Sequence, residues 1–358
     1  MSVLSMQMLQ NLTVPATGEP YTSAPSFYSG NGVFSARLPT PNAGTADCWC
    51  NTVQPSSSAT GRSTDELLSL PNWVIGFRLR KWSRFVSNSG VPAMLSQVTA
   101  VNYIGAVGNG RTTPVRLEAV TDDGEYVELV GKFSGGCDRG VTSLAVEALC
   151  AALAADLDLP VPEPFIVEVE PDFITHVPDT NVKAILQQSC RLGFGSRHLP
   201  PGFFTWARNS ELHDRSRSTA LAIYVFDCLV QNIDRTPENT NCLTNGQAIG
   251  IFDHEIALNT SGVLFWKPPW EPGGLDDFAK PEKHIFFSNL KSYSGRYDEL
   301  ISIEKCWHAI AIDRLESYAS AIPSDWMPGS EVQDMLGYLI DVKSNLRECF
   351  AEIRRVLS

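Results

Sequence analysis

The stretch VQNIDRTPENTNCL at 230–243, followed five residues later by IGIFDHEIAL at 249–258, decides how this chain is read. It places Asp234, Arg235, Asn239 and Asn241 on one polar loop, then closes an apolar run with Asp253, His254 and Glu255. Core packing calls for none of these groups. Carboxylates and side-chain amides on neighbouring loops are hard oxygen donors, the set that holds a divalent metal against phosphate oxygens.

Phosphoryl transfer asks little covalent help of a protein. It needs a cover and a cation for the phosphates, one or two Mg²⁺ ions, and a group that orients the attacking hydroxyl. Upstream segments offer each part. LSQVTAVNYIG and TPVRLEAVT read as strands, with the glycine-bearing loop GAVGNGRT at 105–112 between them. Gly105, Gly108 and Gly110 let a backbone approach phosphates closely. The turn DDG leads into a third strand, EYVELVGKFSG, where Lys132 lies among apolar residues and calls for an anionic partner. VTSLAVEALCAALAADLDLP has helical spacing and carries Glu147, fifteen residues after the lysine, within reach of its ammonium. FIVEVE is one more strand.

Within the opening stretch the roles divide by chemistry. Asp234 can accept or orient the proton of an incoming hydroxyl. The Asn239 oxygen can ligate Mg²⁺, with Asn241 as the alternative ligand, and Asp253 supplies a further metal position. Arg235 steadies the loop or contacts phosphate, and His254 and Glu255 support the others. Each residue alone has a plainer reading. A strand lysine can reach out to water along its own stem, and an Asp-x-Asn loop can simply cap its own backbone. The joint order outweighs the separate readings: lysine strand, glutamate helix, D-R-x-x-x-N loop, and a strand-borne aspartate, Asp253, that ends its apolar strand.

The pattern N-x-D-R-x-x-x-N followed by I-x-x-F-D-H-E-x-A-L resembles the HipA-like kinase family, an atypical branch of the protein-kinase-like fold, and is distantly similar to phosphatidylinositol kinases. The similarity runs from about residue 93 to the C-terminus through VELVGKFSGG, SLAVEALCAALAADLDLPVPEPFIVEV and FDCLVQNIDRTPENTNCL. It implies ATP phosphates bound at Lys132, Asp234 as catalytic base, and Asn239 and Asp253 as metal ligands. The strand at 165–170 would lead into the hinge around adenine. Loop 105–112 contains no serine, unlike the toxin members of the wider family.

The expected fold is therefore α+β and bilobal, a small β-rich lobe at 91–170 and a larger helical lobe at 171–358. An irregular Ser, Thr, Pro and Gly-rich extension at 1–90 precedes it, with a short helix within 64–86. Two long amphipathic patterns, DELISIEKCWHAIAIDRLESYASAI and SEVQDMLGYLIDVKSNLRECFAEIRRVL, build the far end. The aromatic and basic segment at 194–217 lines the acceptor side.

Bulk properties narrow the partners. A net charge of −12 opposes extensive nucleic-acid binding, and the basic cluster Arg78, Arg80, Lys81 and Arg84 reads as a solvated face or local partner contact. Nine cysteines, mostly isolated in apolar runs, behave as small hydrophobes of a reducing compartment. No secretory pattern and no membrane-length apolar run is seen, so a cytoplasmic location is expected. The expected activity is an ATP- and Mg²⁺-dependent kinase acting on a hydroxyl of a protein, with Ser or Thr foremost, and room for a regulatory partner protein. The alternatives are nucleotidyl transfer or a small-molecule acceptor on the same fold, or a nucleotide-binding pseudokinase.

Overall fold

The computed structural model describes residues 95–108, 112–208, 210–259 and 265–358. The expected extension at 1–90, its short helix and Gly110 lie outside them.

Alternation builds the first half. In β1 (Ser96–Ala106), β2 (Val115–Thr121) and β3 (Tyr126–Lys132), alternate residues point inward, as with Val115, Leu117 and Ala119 in β2. The β2–β3 turn closes through Gly124, whose φ of 81° is the left-handed conformation that a hairpin turn requires. α1 (Val141–Asp156) follows, then β4 (Pro164–Glu168), the short helices α2 (Pro171–His176) and α3 (Thr180–Gln188), and β5 (Leu192–Arg197). Among the described residues, five strands close into a barrel in the order β1-β2-β3-β5-β4, parallel only between β1 and β4. Its interior is a core of its own, with Val98, Leu117, Leu129, Phe133, Phe165 and Val167.

Two expectations are corrected here. The strand at 165–170 does not lead into a hinge; β4 is followed by α2 and α3, and the chain leaves the barrel through β5. The segment at 194–217 is not all acceptor lining, because its first residues are barrel strand, paired to β3 and β4. The barrel thus draws on residues past the boundary expected at 170.

The second half is mainly helical. β6 (Phe204–Thr205), β7 (Cys242–Thr244) and β8 (Ile249–Ile251) form a small antiparallel sheet. α4 (Arg217–Val230) runs into the polar loop that carries Asp234, Asn239 and Asn241. It ends on Gln231 at φ 57°, whose side chain donates to the Cys228 carbonyl. α5 (Phe287–Lys291) is short. The two long amphipathic patterns are each broken, into α6 (Arg296–Ala309) with α7 (Ile312–Ser320), and α8 (Glu331–Ser344) with α9 (Leu346–Leu357).

α1 belongs to this helical core and not to the barrel interior. Every residue from Ser143 to Ala154 is buried, and the helix packs against α7, α8 and the strands β4 and β5. A helix apolar all round is an interior helix, so Glu147 enters the site from a fixed element. No helix among the described residues is long and apolar enough to cross a membrane.

Candidate active site

β3 delivers Lys132 to the seam between the barrel and α1. Its Nζ lies 2.5 Å from Glu147 Oε1, 2.6 Å from Asp253 Oδ1 and 3.5 Å from Glu255 Oε2, and the residue is 8% exposed. It does not reach out to water. Burial pulls the ammonium's pKa down, but Glu147 and then Asp253 more than offset this and hold it above the ordinary lysine value. Glu147 shows the complement: burial raises its carboxyl, and Lys132 brings it well below the usual range. Its other oxygen accepts from the His254 backbone N–H at 3.0 Å, tying α1 to the turn that carries Asp253.

Asp253 does not end a strand. β8 stops at Ile251, and Asp253 sits two residues on at φ 59°, a left-handed conformation for a non-glycine residue. Asn241 at φ 41° is a second. Such backbone persists where surrounding contacts over-determine it, and here the contacts are visible: Phe252 N–H donates to the Asn241 carbonyl at 3.3 Å, and both carbonyls, of Asn241 and Phe252, accept from Arg235.

Arg235 is fully buried, which removes it from nucleotide contact and corrects that assignment. Its Nε lies 2.6 Å from Asp227 Oδ2, with Nη2 at 3.2 Å from Oδ1. Asp227 also accepts from Asn232 Nδ2 at 2.8 Å and faces His284 Nε2 at 3.1 Å. Burial would raise the Asp227 carboxyl; the Arg235 guanidinium and His284 hold it far below the ordinary value instead. The fork of Arg235 thus fastens the loop to α4 and to the Asp253 turn.

Asp234, the residue before Arg235, is half-buried and has different partners. Its Oδ2 accepts from Asn239 Nδ2 at 2.7 Å and Asn241 Nδ2 at 3.0 Å. Burial raises its pKa and nearby Asp253 adds to this, while the two amides pull the other way, leaving it above the ordinary aspartate value. The structure therefore brings Lys132, Glu147, Asp253 and Glu255 into one cluster and Asp234, Asn239 and Asn241 into another.

The glycine loop is placed more loosely. Gly105 pairs with Arg116 inside β1, and Gly108 is exposed at φ 69°. Val107 N–H donates to the Pro114 carbonyl at 2.7 Å, which draws the loop closed. Its end meets the segment after Lys132: a Cβ on Gly136 would fall 2.8 Å from the Thr112 carbonyl oxygen.

Residue-by-residue reading missed Asp227 and His284. A carboxylate inside the apolar run YVFDCLV was a visible signal for the first; nothing marked the second. Among the described residues, no group of three or more His, Cys, Asp or Glu is set to hold a metal alone. The charge balance nevertheless fits a cation. Lys132 and Arg139 are two positive charges beside Glu147, Asp253 and Glu255, Asp234 adds a fourth carboxylate, and Arg235 is occupied by Asp227.

A model of the HipA-like kinase family matches residues 133–353, more than half of the chain. The chain belongs to the HipA-like kinase family. A HipA-like kinase transfers phosphoryl groups, and a nucleotide and an acceptor are its partners. No curated protein matches. Among solved structures, the Helicobacter pylori proinflammatory kinase CtkA is similar at 12% identity, over 73% of this chain and 100% of that one, with a TM-score of 0.45. The Golgi casein kinase with Mn/ADP bound is similar at 11% identity, over 72% of this chain and 73% of that one, with a TM-score of 0.35.

Proposed function

We propose that this HipA-like kinase is ATP- and Mg²⁺-dependent and transfers the γ-phosphoryl group to a hydroxyl, foremost Ser or Thr of a protein. One observation carries the reading. A buried, charged Lys132 is clamped by Glu147 beside Asp253, close to a half-buried Asp234 whose carboxyl is raised and whose Oδ2 accepts from Asn239 and Asn241. Lys132 supplies the cation for nucleotide phosphates, kept charged by its carboxylate neighbours. Asp234 orients the acceptor hydroxyl and receives its proton, a role suited to a pKa moved toward the working pH.

Asp253 and Asn239 are the residues that would hold the metal, with Asn241 as the alternative. Both amide nitrogens are turned to Asp234, so their side-chain oxygens are the atoms left for a cation. Mg²⁺ bound there would supply charge neutralisation for the phosphates, and it commonly takes only one or two protein ligands with the rest from substrate and water. Asn239, exposed where Asn241 is 6% exposed, is the more accessible of the two.

A protein acceptor is supported by a groove of about 490 Å³ beside the same loop. Pro237 lines it, one tight turn beyond Asp234, and Arg208, Glu211 and Ser288 form its walls. Ile285 fixes another wall to the loop, its N–H donating to the Arg235 carbonyl at 3.2 Å. Enclosed apolar pockets suit small ligands; an open polar groove suits an extended chain.

The test is label transfer from ATP carrying tracer at the γ or the α phosphate, with Mg²⁺ and a cell extract, beside Asp234→Ala. Transfer of the γ label to serine or threonine by the wild type alone is expected. Transfer of the α label would make the reaction nucleotidyl transfer, and equal labelling by Asp234→Ala would remove Asp234 from the chemistry.

A further inference from the structure

Two carboxylates cross between α1 and the turn 253–255, in opposite directions. Glu147 reaches from α1 to the turn and accepts from the His254 backbone N–H. Glu255 reaches from the turn to the start of α1. Its Oε1 accepts from Ser143 Oγ at 2.9 Å and from the Asp138 N–H at 3.1 Å. The Glu255 carbonyl accepts from the Arg139 guanidinium, which also lies 3.4 Å from the Ala257 carbonyl. Arg139's own N–H donates to Ser143 Oγ at 3.3 Å, so the contacts form a closed ring. Glu255 is 5% exposed and Ser143 fully buried. A carboxylate that deep is retained only where its oxygens are occupied.

We infer that Glu255 is a positioning residue: it holds the Asp253 turn against α1, so that Asp253 and Lys132 are set before a metal nucleotide arrives. The inference rests on the reading of this site as a metal-nucleotide site. The left-handed backbone at Asp253 is held on its N-terminal side by the bond of Arg235 to the Phe252 carbonyl and is flanked on its C-terminal side by this clasp. Glu255 Oε2, at 3.5 Å, is also the carboxylate beside Lys132 that comes from neither α1 nor the expected metal ligand. Residues that orient a ligand from behind commonly govern metal affinity by ~10–100-fold when removed.

Two substitutions separate the clasp from the charge. Glu255→Gln keeps a carbonyl oxygen for Ser143 and Asp138, removes the negative charge and puts an amide NH2 where Oε2 faces Lys132. Glu255→Ala removes both. The full chain is measured by titration with a fluorescent ATP analogue, with and without Mg²⁺, and by hydrogen exchange of the nucleotide-free protein over 137–143. Glu255→Ala is expected to weaken the Mg²⁺-dependent affinity by ~10-fold or more and to speed exchange at Asp138. Glu255→Gln is expected to stay within about threefold of wild type in affinity, with exchange unchanged.

Ser143→Ala removes one of the two bonds to Glu255 Oε1, and with it the acceptor of the Arg139 N–H, while every side chain of the turn stays in place. It should move both readouts the same way by a smaller factor, and it decides the matter if Glu255→Ala does not fold. Equal damage from Gln and Ala would assign the effect to charge and overturn the positioning role. Unchanged Mg²⁺-dependent affinity in both Glu255→Ala and Ser143→Ala would overturn it too. A wild type that shows no Mg²⁺-dependent nucleotide binding would instead bring down the underlying reading of the site.

Discussion

Two charged clusters lie within one loop's reach of each other, and they are built to opposite rules. At Asp227 and Arg235 both side chains are fully buried, one positive charge meets one negative, and four donor groups converge on two oxygens. At Lys132 one ammonium faces three carboxylates, and the Asp253 side chain is 28% exposed. The first cluster is complete and needs nothing from outside. The second carries excess negative charge toward an opening, and a protein keeps such an imbalance where a ligand will balance it. Burial of a charged group thus says little by itself; whether its partners balance it separates scaffold from site.

The sharpest way to break this contrast is to delete one carboxylate from the unbalanced side. Asp234→Ala should reduce transfer by ~10²–10⁴-fold, the usual range for a positioned acid–base group, with little change in the urea midpoint, and Asp253→Ala should abolish the Mg²⁺-dependent transfer. Asp234→Ala should leave nucleotide binding largely intact, while Asp253→Ala should also weaken its Mg²⁺-dependent part. Wild-type turnover in either variant would end the assignment. On the balanced side the consequence reverses. Asp227→Ala strands a buried guanidinium and should cost about 3–5 kcal/mol of stability, read from urea melts. An Asp227→Ala protein as stable as wild type would show that Arg235 finds its support elsewhere.

The same contrast explains what could be read in advance. The grouping of Lys132 with Glu147 and Asp253, and of Asp234 with Asn239, was legible because the order of these residues along the chain, not any one of them, is improbable for a packed core. Arg235 was left between steadying its loop and contacting phosphate because sequence gives a residue's charge and not its partner; Asp227 stands eight residues back on a helix, buried by contacts that no local pattern records. The last barrel strand was illegible for another reason. LGFGSR has two glycines where alternation should show apolar side chains. A Cβ at Gly193 would lie 2.5 Å from the Phe133 ring, and one at Gly195 would lie 2.6 Å from Val167 Cγ2. Neighbouring side chains fill those positions, so the strand's inward pattern is written in other strands. Gly193→Ala should therefore overpack the barrel and cost about 1–3 kcal/mol, with the Phe133 ring forced to move just beyond Lys132. A neutral Gly193→Ala would mean that the ring yields freely.

The smallest expected effect is a pH dependence confined to the sealed cluster. Burial pushes the His284 imidazole down, and Asp227 only partly offsets this, so the folded protein binds that proton less readily than the unfolded chain does. Stability then rises with pH between the folded value and the unfolded value near 6.5, and is lost as pH falls below about 6.5. Asp227 runs in the same direction at lower pH. Its folded pKa is depressed, so its contribution is complete above the unfolded value of about 3.9 and disappears as pH falls toward the folded one. Acid should therefore weaken the fold in two stages, the upper stage no steeper than ~1.4 kcal/mol per pH unit. His284→Gln keeps a side-chain donor for Asp227 and cannot titrate. Urea melts at several pH values between 7.5 and 4.5 should show the wild-type stability falling relative to His284→Gln as pH drops, with the gap opening below about 6.5. A constant gap across that range would mean that His284 binds its proton equally in both states, and the cluster would then be sealed by geometry without any cost to protonation.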